Sequence, residues 1–165
     1  MKRIGLLSDT HGYLDQRIIE HLDVCDEIWH AGDIGSPEVL NRLEALKTLR
    51  AVYGNIDGQS IRVGLQLMQR FVCEEVDVLI KHIGGYPGKY DSSILPIIQK
   101  NPPNLLIAGH SHILKVMYDK KNNFLFINPG AAGISGFHHI RTLVRFTLDK
   151  SNIGDLEVVE LGKRN

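Results

Sequence analysis

The chain has 165 residues, close to the roughly 150 of one ordinary domain. Its apolar share of 43% excludes a disordered chain and suffices for a continuous core. Lys and Arg total 19, as do Asp and Glu, which excludes the cationic excess that coating nucleic acid or an anionic membrane requires. No apolar run approaches the roughly 18 residues of a spanning helix, and the N-terminus turns polar at Ser8-Asp9, too early for a secretory leader. Cys25 and Cys73 lack a paired metal-binding spacing and read as small apolar fillers. The expectation is one cytoplasmic domain over residues 1–165.

Most segments repeat one pattern, a short apolar run closed by a loop of Gly with Asp, Asn or His. Arg3 to Ser8 reads as a strand followed by Asp9-Thr10-His11-Gly12, and residues 14–22 as a helix with Leu14, Ile18, Ile19 and Leu22 on one face. Glu27 to His30 is a second strand ending in Ala31-Gly32-Asp33. Ser36-Pro37 supplies an N-cap and first-turn proline for a helix that buries Val39, Leu40, Leu43 and Leu46. Leu49 to Tyr53 is a third strand, closing in Gly54-Asn55-Ile56-Asp57. Ile61, Val63, Leu65 and Leu67 alternate as in a half-exposed strand, with Phe71 to Cys73 as a candidate partner. Val76 to Ile80 reads as a buried strand running into His82, and Ile83 to Gly88 as a loop. Residues 91–100 predict a helix, and Leu105 to Ala108 a strand ending in Gly109-His110-Ser111-His112. Lys115 to Asp119 and Phe124 to Asn128 flank a turn at 120–123, and Thr142 to Leu148 and Leu156 to Leu161 follow as antiparallel strands. Strands alternating with helices, then hairpins, predict an α/β fold of stacked sheets with helices outside.

In open α/β sheets, chemistry gathers where strands end. Here five strand ends present Asp9 with His11, Asp33, Asn55, His82, and His110 with His112. Any one of these has a plain structural explanation, such as a helix cap for Asp9 or Asp33 and a turn for Asn55. Together they form a donor set for two divalent cations, because one carboxylate can bridge ions about 3.5–4 Å apart. Two carboxylates against two divalent ions leave roughly +2 by formal charge, which attracts a phosphate ester. His138-His139 reads as a surface pair and His21 as solvated; His30 is a core or supporting residue. Asp57 is either a turn residue or a proton relay. Tyr86, Lys89 and Tyr90, after His82, are candidates for substrate contact.

The blocks Asp9-Thr10-His11, Gly32-Asp33, Gly54-Asn55, His82 and Gly109-His110-Ser111-His112 resemble those of the calcineurin-like metallophosphoesterase superfamily, most of all its small single-domain phosphodiesterase branch. The Asn128-Pro129-Gly130 turn fits that branch too. The resemblance implies an α-β-β-α sandwich with a dinuclear site at one edge. It implies that Asp9, His11, Asp33 and His112 surround one ion and that Asp33 bridges to a second, completed by Asn55, His82 and His110. Manganese is the implied activator, with iron, nickel, cobalt or zinc as alternatives. The implied reaction is hydrolysis of a small phosphodiester by a metal-bound hydroxide. Asp33, Asn55 and His110 are then catalytic, and Asn55, Tyr86 and Lys89 contact substrate. Ile56 stands where many members carry a His that protonates the leaving group, and Ile83 lengthens the loop after His82. The alternative is a protein-binding scaffold, the use a retromer subunit makes of this fold. Zero net charge and no basic-aromatic stripe argue against an extended nucleic-acid groove. The C-terminal strands leave a homodimer open.

Overall fold

The computed structural model describes residues 1–165. Strand β1 (Lys2–Leu7) places Ile4 and Leu6 on one face and Leu7 on the other, so it serves two cores at once. Beside it lie β2 (Glu27–His30) and β3 (Thr48–Ala51), both parallel, and on the other side β11 (Ile140–Asp149), antiparallel to β1, and β12 (Asn152–Lys163), antiparallel to β11. The order of this five-stranded sheet is β12-β11-β1-β2-β3.

Two helices cover its outer face. Asp15 caps α1 (Gln16–Asp23) by accepting from the Ile18 N–H, and Ser36 caps α2 (Pro37–Leu46) from the Val39 N–H. Their Ile18, Leu22, Val39, Leu40 and Leu43 pack with Leu7, Ile28 and Ala51. Gly5 permits the close approach of α1, since a Cβ there would stand 2.6 Å from Leu22 Cδ2.

The second sheet has the order β4-β5-β8-β10-β9, built from β4 (Met68–Cys73), β5 (Val76–Lys81), β8 (Leu105–Ile107), β9 (Lys115–Asp119) and β10 (Phe124–Asn128). β5, β8 and β10 run parallel, flanked by antiparallel β4 and β9. Its inner residues Val76, Val78, Ile80, Leu105, Ile107 and Ile127 meet Ile4, Leu6, Trp29, Val144 and Phe146 between the sheets. Trp29 sits edge-on to Phe71 and Phe146, with ring centroids 5.0 and 5.6 Å away. On the outer face, Leu79, Leu106, Phe124 and Phe126 pack with Ile94 and with Ile98 of α4 (Leu95–Lys100). The layers are thus helix, sheet, sheet, helix, and no helix is long and apolar enough to cross a membrane.

Two local expectations change. The stretch 61–67 is not a strand: α3 (Gln59–Arg62) and a turn occupy it, Ile61 is buried, and Val63 and Leu67 are exposed. The apolar alternation there is coincidental, and β4 pairs instead with β5 across the Glu74-Glu75 turn. Residues 83–88 are not wholly loop either. β6 (Gly85–Tyr86) and β7 (Lys89–Tyr90) form a short antiparallel ladder around Pro87-Gly88.

Candidate metal centre

Backbone hydrogen bonds fasten the loop after β1 to the loop after β2, and the loop after β5 to the loop after β8. The Asp9 N–H donates to the Gly32 carbonyl, the His11 N–H to that of Asp33 and the Gly109 N–H to that of His82, each at 3.0 Å. Asp57 ties the Asp33 loop to the Asn55 loop: its carboxylate accepts the N–H groups of Ile34 (3.2 Å), Gly35 (2.8 Å) and Gly54 (2.8 Å). So occupied, Asp57 is the turn residue rather than the proton relay.

His30 works in the same way. The Gly32 N–H donates to its Nδ1 (3.1 Å), so Nε2 carries the proton and donates to Thr10 Oγ1 (2.9 Å), whose hydroxyl passes to the Ile34 carbonyl (2.9 Å). Burial pushes this imidazole down to about 4 and keeps it neutral. Asn128 steadies the last loop, donating to the Gly109 carbonyl and Ser111 Oγ, both at 3.0 Å.

Five of the seven predicted residues hold left-handed backbone: Asp9 (φ 54°), His11 (47°), Asp33 (56°), His110 (70°) and His112 (60°). That conformation costs L residues about 1–2 kcal/mol each, somewhat less for Asp. Strain collected at one point marks a place where side-chain direction matters more than stability.

All seven side chains come together. Asp9, His11 and His112 form one group and Asp33, His82 and His110 another, with ligand atoms in each within 4.8 Å of one another. Asp33 Oδ2 touches both groups, 3.1 Å from His82 Nε2 and 3.6 Å from His11 Nε2. Asp9 Oδ1 lies 3.1 Å from His112 Nε2 and 3.7 Å from His11 Nε2, and Asn55 Oδ1 is 3.1 Å from His82 Nε2.

The unsatisfied atoms say what belongs between them. Asp9 Oδ2 accepts from the Ser8 hydroxyl (2.6 Å) and the His110 N–H (3.1 Å), but buried Asp9 Oδ1 and His11 Nε2 have no hydrogen-bond partner. An orphaned buried carboxylate oxygen costs several kcal/mol unless a cation stands beside it. His82 makes the same point: its Nδ1–H donates to the Ala31 carbonyl at 2.7 Å, so in the neutral ring the Nε2 lone pair faces the oxygens of Asp33, Asn55 and Asp9. Opposed lone pairs need a proton or a metal between them.

The titration shifts agree. Burial would raise the Asp9 carboxyl, but the imidazoles of His11, His112 and His82 gathered around it, with the Ser8 hydroxyl, hold it well below the usual range. The nearby Asp9 carboxylate, then Asp33, raises His11, and against its burial Asp33 and Asp9 raise His82. This is a field that favours positive charge, and two carboxylates, four imidazoles and an amide oxygen fit divalent cations by donor type.

Glycine makes room for the arrangement. A Cβ on Gly54 would collide with Asp33 Oδ1 and lie 2.5 Å from the Asp33 nitrogen. Gly54→Ala therefore displaces the Asp33 carboxylate. The expected result is divalent-cation binding weakened about 10–100-fold in calorimetric titration, with the far-UV spectrum retained. Wild-type affinity in a folded variant would contradict the placement.

Other expectations divide. Tyr86 and Lys89 line a cleft of about 630 Å³ with His110 and Ser111. A second cavity of about 410 Å³ reaches Asn55 and His82 and is lined by Tyr53, Arg62, Lys81 and Asp91. Sequence periodicity does not mark those four; Arg62 is held there by a bond to the Asp57 carbonyl (2.5 Å), its guanidinium 4.7 Å above the Tyr53 ring. The supposed surface pair splits: His139 is exposed, but His138 lies against His112.

Residues 1–151 match the model of the calcineurin-like phosphoesterase superfamily domain. A protein named as a probable metallophosphoesterase from Methanocaldococcus jannaschii is 32% identical over 137 residues, which cover 78% of this chain and 67% of that protein. Among solved structures, an archaeal phosphodiesterase superposes with a TM-score of 0.78 at 23% identity, covering 96% of this chain and 99% of its own. Zinc-complexed Vps29 from Entamoeba histolytica gives 0.73 at 18% identity, covering 99% of each chain. The matched span contains every one of the converging side chains, and this chain belongs to the calcineurin-like phosphoesterase superfamily.

Proposed function

We propose that this protein is a metal-dependent phosphodiesterase acting on small phosphodiesters. Asp9, His11, Asp33 and His112 would hold one divalent ion, and Asp33, Asn55, His82 and His110 would hold a second. Manganese is the proposed activator, and iron, nickel, cobalt and zinc suit the same mixed donors. The observation that carries this reading is the Asp33 oxygen within 3.6 Å of both histidine groups, beside buried Asp9 Oδ1 and His11 Nε2 with nothing to bind.

When bound, such ions supply Lewis acidity to the phosphoryl oxygens and make water more acidic. The chain's own residues bind and orient. Asn55, exposed beside His82, offers its amide N–H groups to a phosphoryl oxygen, and His110 faces the cleft that Tyr86 and Lys89 line. Ile56 brings no proton to the leaving group, and Asp57 is occupied by three backbone N–H groups. General acid catalysis is typically worth about 10²–10⁴-fold, so diesters with acidic, aryl-type leaving groups are the substrates expected to turn over best.

The Vps29 likeness, at 18% identity, concerns the fold alone, and a protein-binding scaffold is the rival reading. The complete donor set favours catalysis, since a scaffold has no use for five strained ligand positions. Balanced charge and free cysteines accord with action in the cytoplasm. The test is hydrolysis of bis(4-nitrophenyl) phosphate after chelation and metal add-back. Turnover is expected to vanish on chelation and return with manganese or another of these ions. If none restores it in folded protein, the proposal fails.

A further inference from the structure

His138 is not used by any step above, yet its position is closely specified. Its Nε2 lies 2.8 Å from the Gly133 carbonyl and its Nδ1 lies 3.2 Å from His112 Nδ1. A carbonyl oxygen only accepts, so His138 Nε2 must donate. The neutral ring then has a bare Nδ1, which can only accept. His112 must place a proton on its own Nδ1 to meet it, and that leaves His112 Nε2 as the lone-pair nitrogen on the side of Asp9 Oδ1, 3.1 Å away.

The loop is shaped for this contact. Gly136 holds φ 128°, and a Cβ there would collide with His112 Nδ1 and lie 2.5 Å from its Cε1. Arg164 fastens the same loop by donating to the Gly136 carbonyl at 2.6 Å. On the other side, Gly133 presses on the Asp9-Thr10 backbone, with a would-be Cβ 2.8 Å from the Asp9 carbonyl oxygen.

We infer that His138 is a positioning residue for the metal centre: through Gly133 it fixes the tautomer and orientation of His112, so that Nε2 is the nitrogen offered to the ion. This rests on the dinuclear reading of the site. Supporting partners of this kind are worth about 10–100-fold in metal affinity.

The experiment is calorimetric titration of zinc into the chelator-stripped full chain, as wild type, His138→Phe and His138→Asn. Long-range proton–nitrogen spectra of the zinc-saturated proteins accompany it. His138→Phe is expected to bind one ion about 10–100-fold more weakly and to lose the single protonated-Nδ1 signature of His112. His138→Asn, whose Oδ1 can accept from His112 Nδ1, is expected to restore most of both. Equal affinity and an unchanged His112 tautomer in the Phe variant would overturn the inference while leaving the metal centre standing. Absence of zinc binding by folded wild type would overturn the metal reading, and this inference with it. Failure of the Asn variant to recover either property, with cooperative melting intact, would also count against the tautomer assignment.

Discussion

Asp33→Asn is expected to lower phosphodiester turnover by about 10³-fold or more, comparable with loss of a well-placed electrostatic group, and to leave the fold intact. The amide keeps one native contact, since its oxygen can still accept the Ile56 N–H now held at 3.1 Å by Asp33 Oδ1. What it removes is the charge at the oxygen facing His11 and His82. The repulsion between Asp33 and Asp9 also disappears. The attraction to His82, which outweighs that repulsion and holds the Asp33 carboxyl below its ordinary value, is lost with it, so the metal-free variant should still melt cooperatively but somewhat below wild type. A divalent ion at about 100 times its Kd stabilises a folded protein by about 2.7 kcal/mol, and that increment should be lost. Adding His110→Ala should cost little more, because groups acting as one unit are not additive. Wild-type turnover in both variants would remove Asp33 and His110 from the chemistry.

The second expectation concerns stability. Glu27, at the start of β2, is 3% exposed and lies in the wall between the sheets. Burial would raise its carboxyl, but Arg50 (2.9 Å), Lys2 and the Trp29 indole N–H (3.1 Å) overcome that and bring it down to about 2. A folded pKa below the ordinary 4.5 means that the stabilisation is complete above pH 4.5 and drains away as pH falls toward 2. The shift corresponds to about 3 kcal/mol. In urea unfolding, the gap between wild type and Glu27→Gln should be near that value at pH 6 and close progressively between pH 4.5 and 2. A gap independent of pH would show that the pair with Arg50 and Lys2 contributes nothing of this kind.

The parts legible in the sequence were those where one local rule decides. β1, β2, β8 and the hairpin of β9 and β10 follow from apolar runs ending in turn residues, and α2 from Ser36-Pro37. The seven converging residues were legible because each stands directly after such a run. Residues 61–67 misled because alternation alone does not reveal that Arg62 folds back on the Asp57 carbonyl and turns the chain. The role of His138 is hidden from the sequence for a related reason. Its partner, His112, is 26 residues away, and the loop that joins them is irregular. Arg62 and Lys81 likewise enter the second cavity through loop geometry that no periodicity encodes.

The two sheets share no strand pairing, and the donors are divided between them: Asp9, His11, Asp33 and Asn55 follow strands of one, His82, His110 and His112 strands of the other. An occupied centre is therefore a clasp at the open mouth of a sandwich. Its removal should loosen amide protection at that rim, on both layers together, and leave the far ends of the strands as slow to exchange as before.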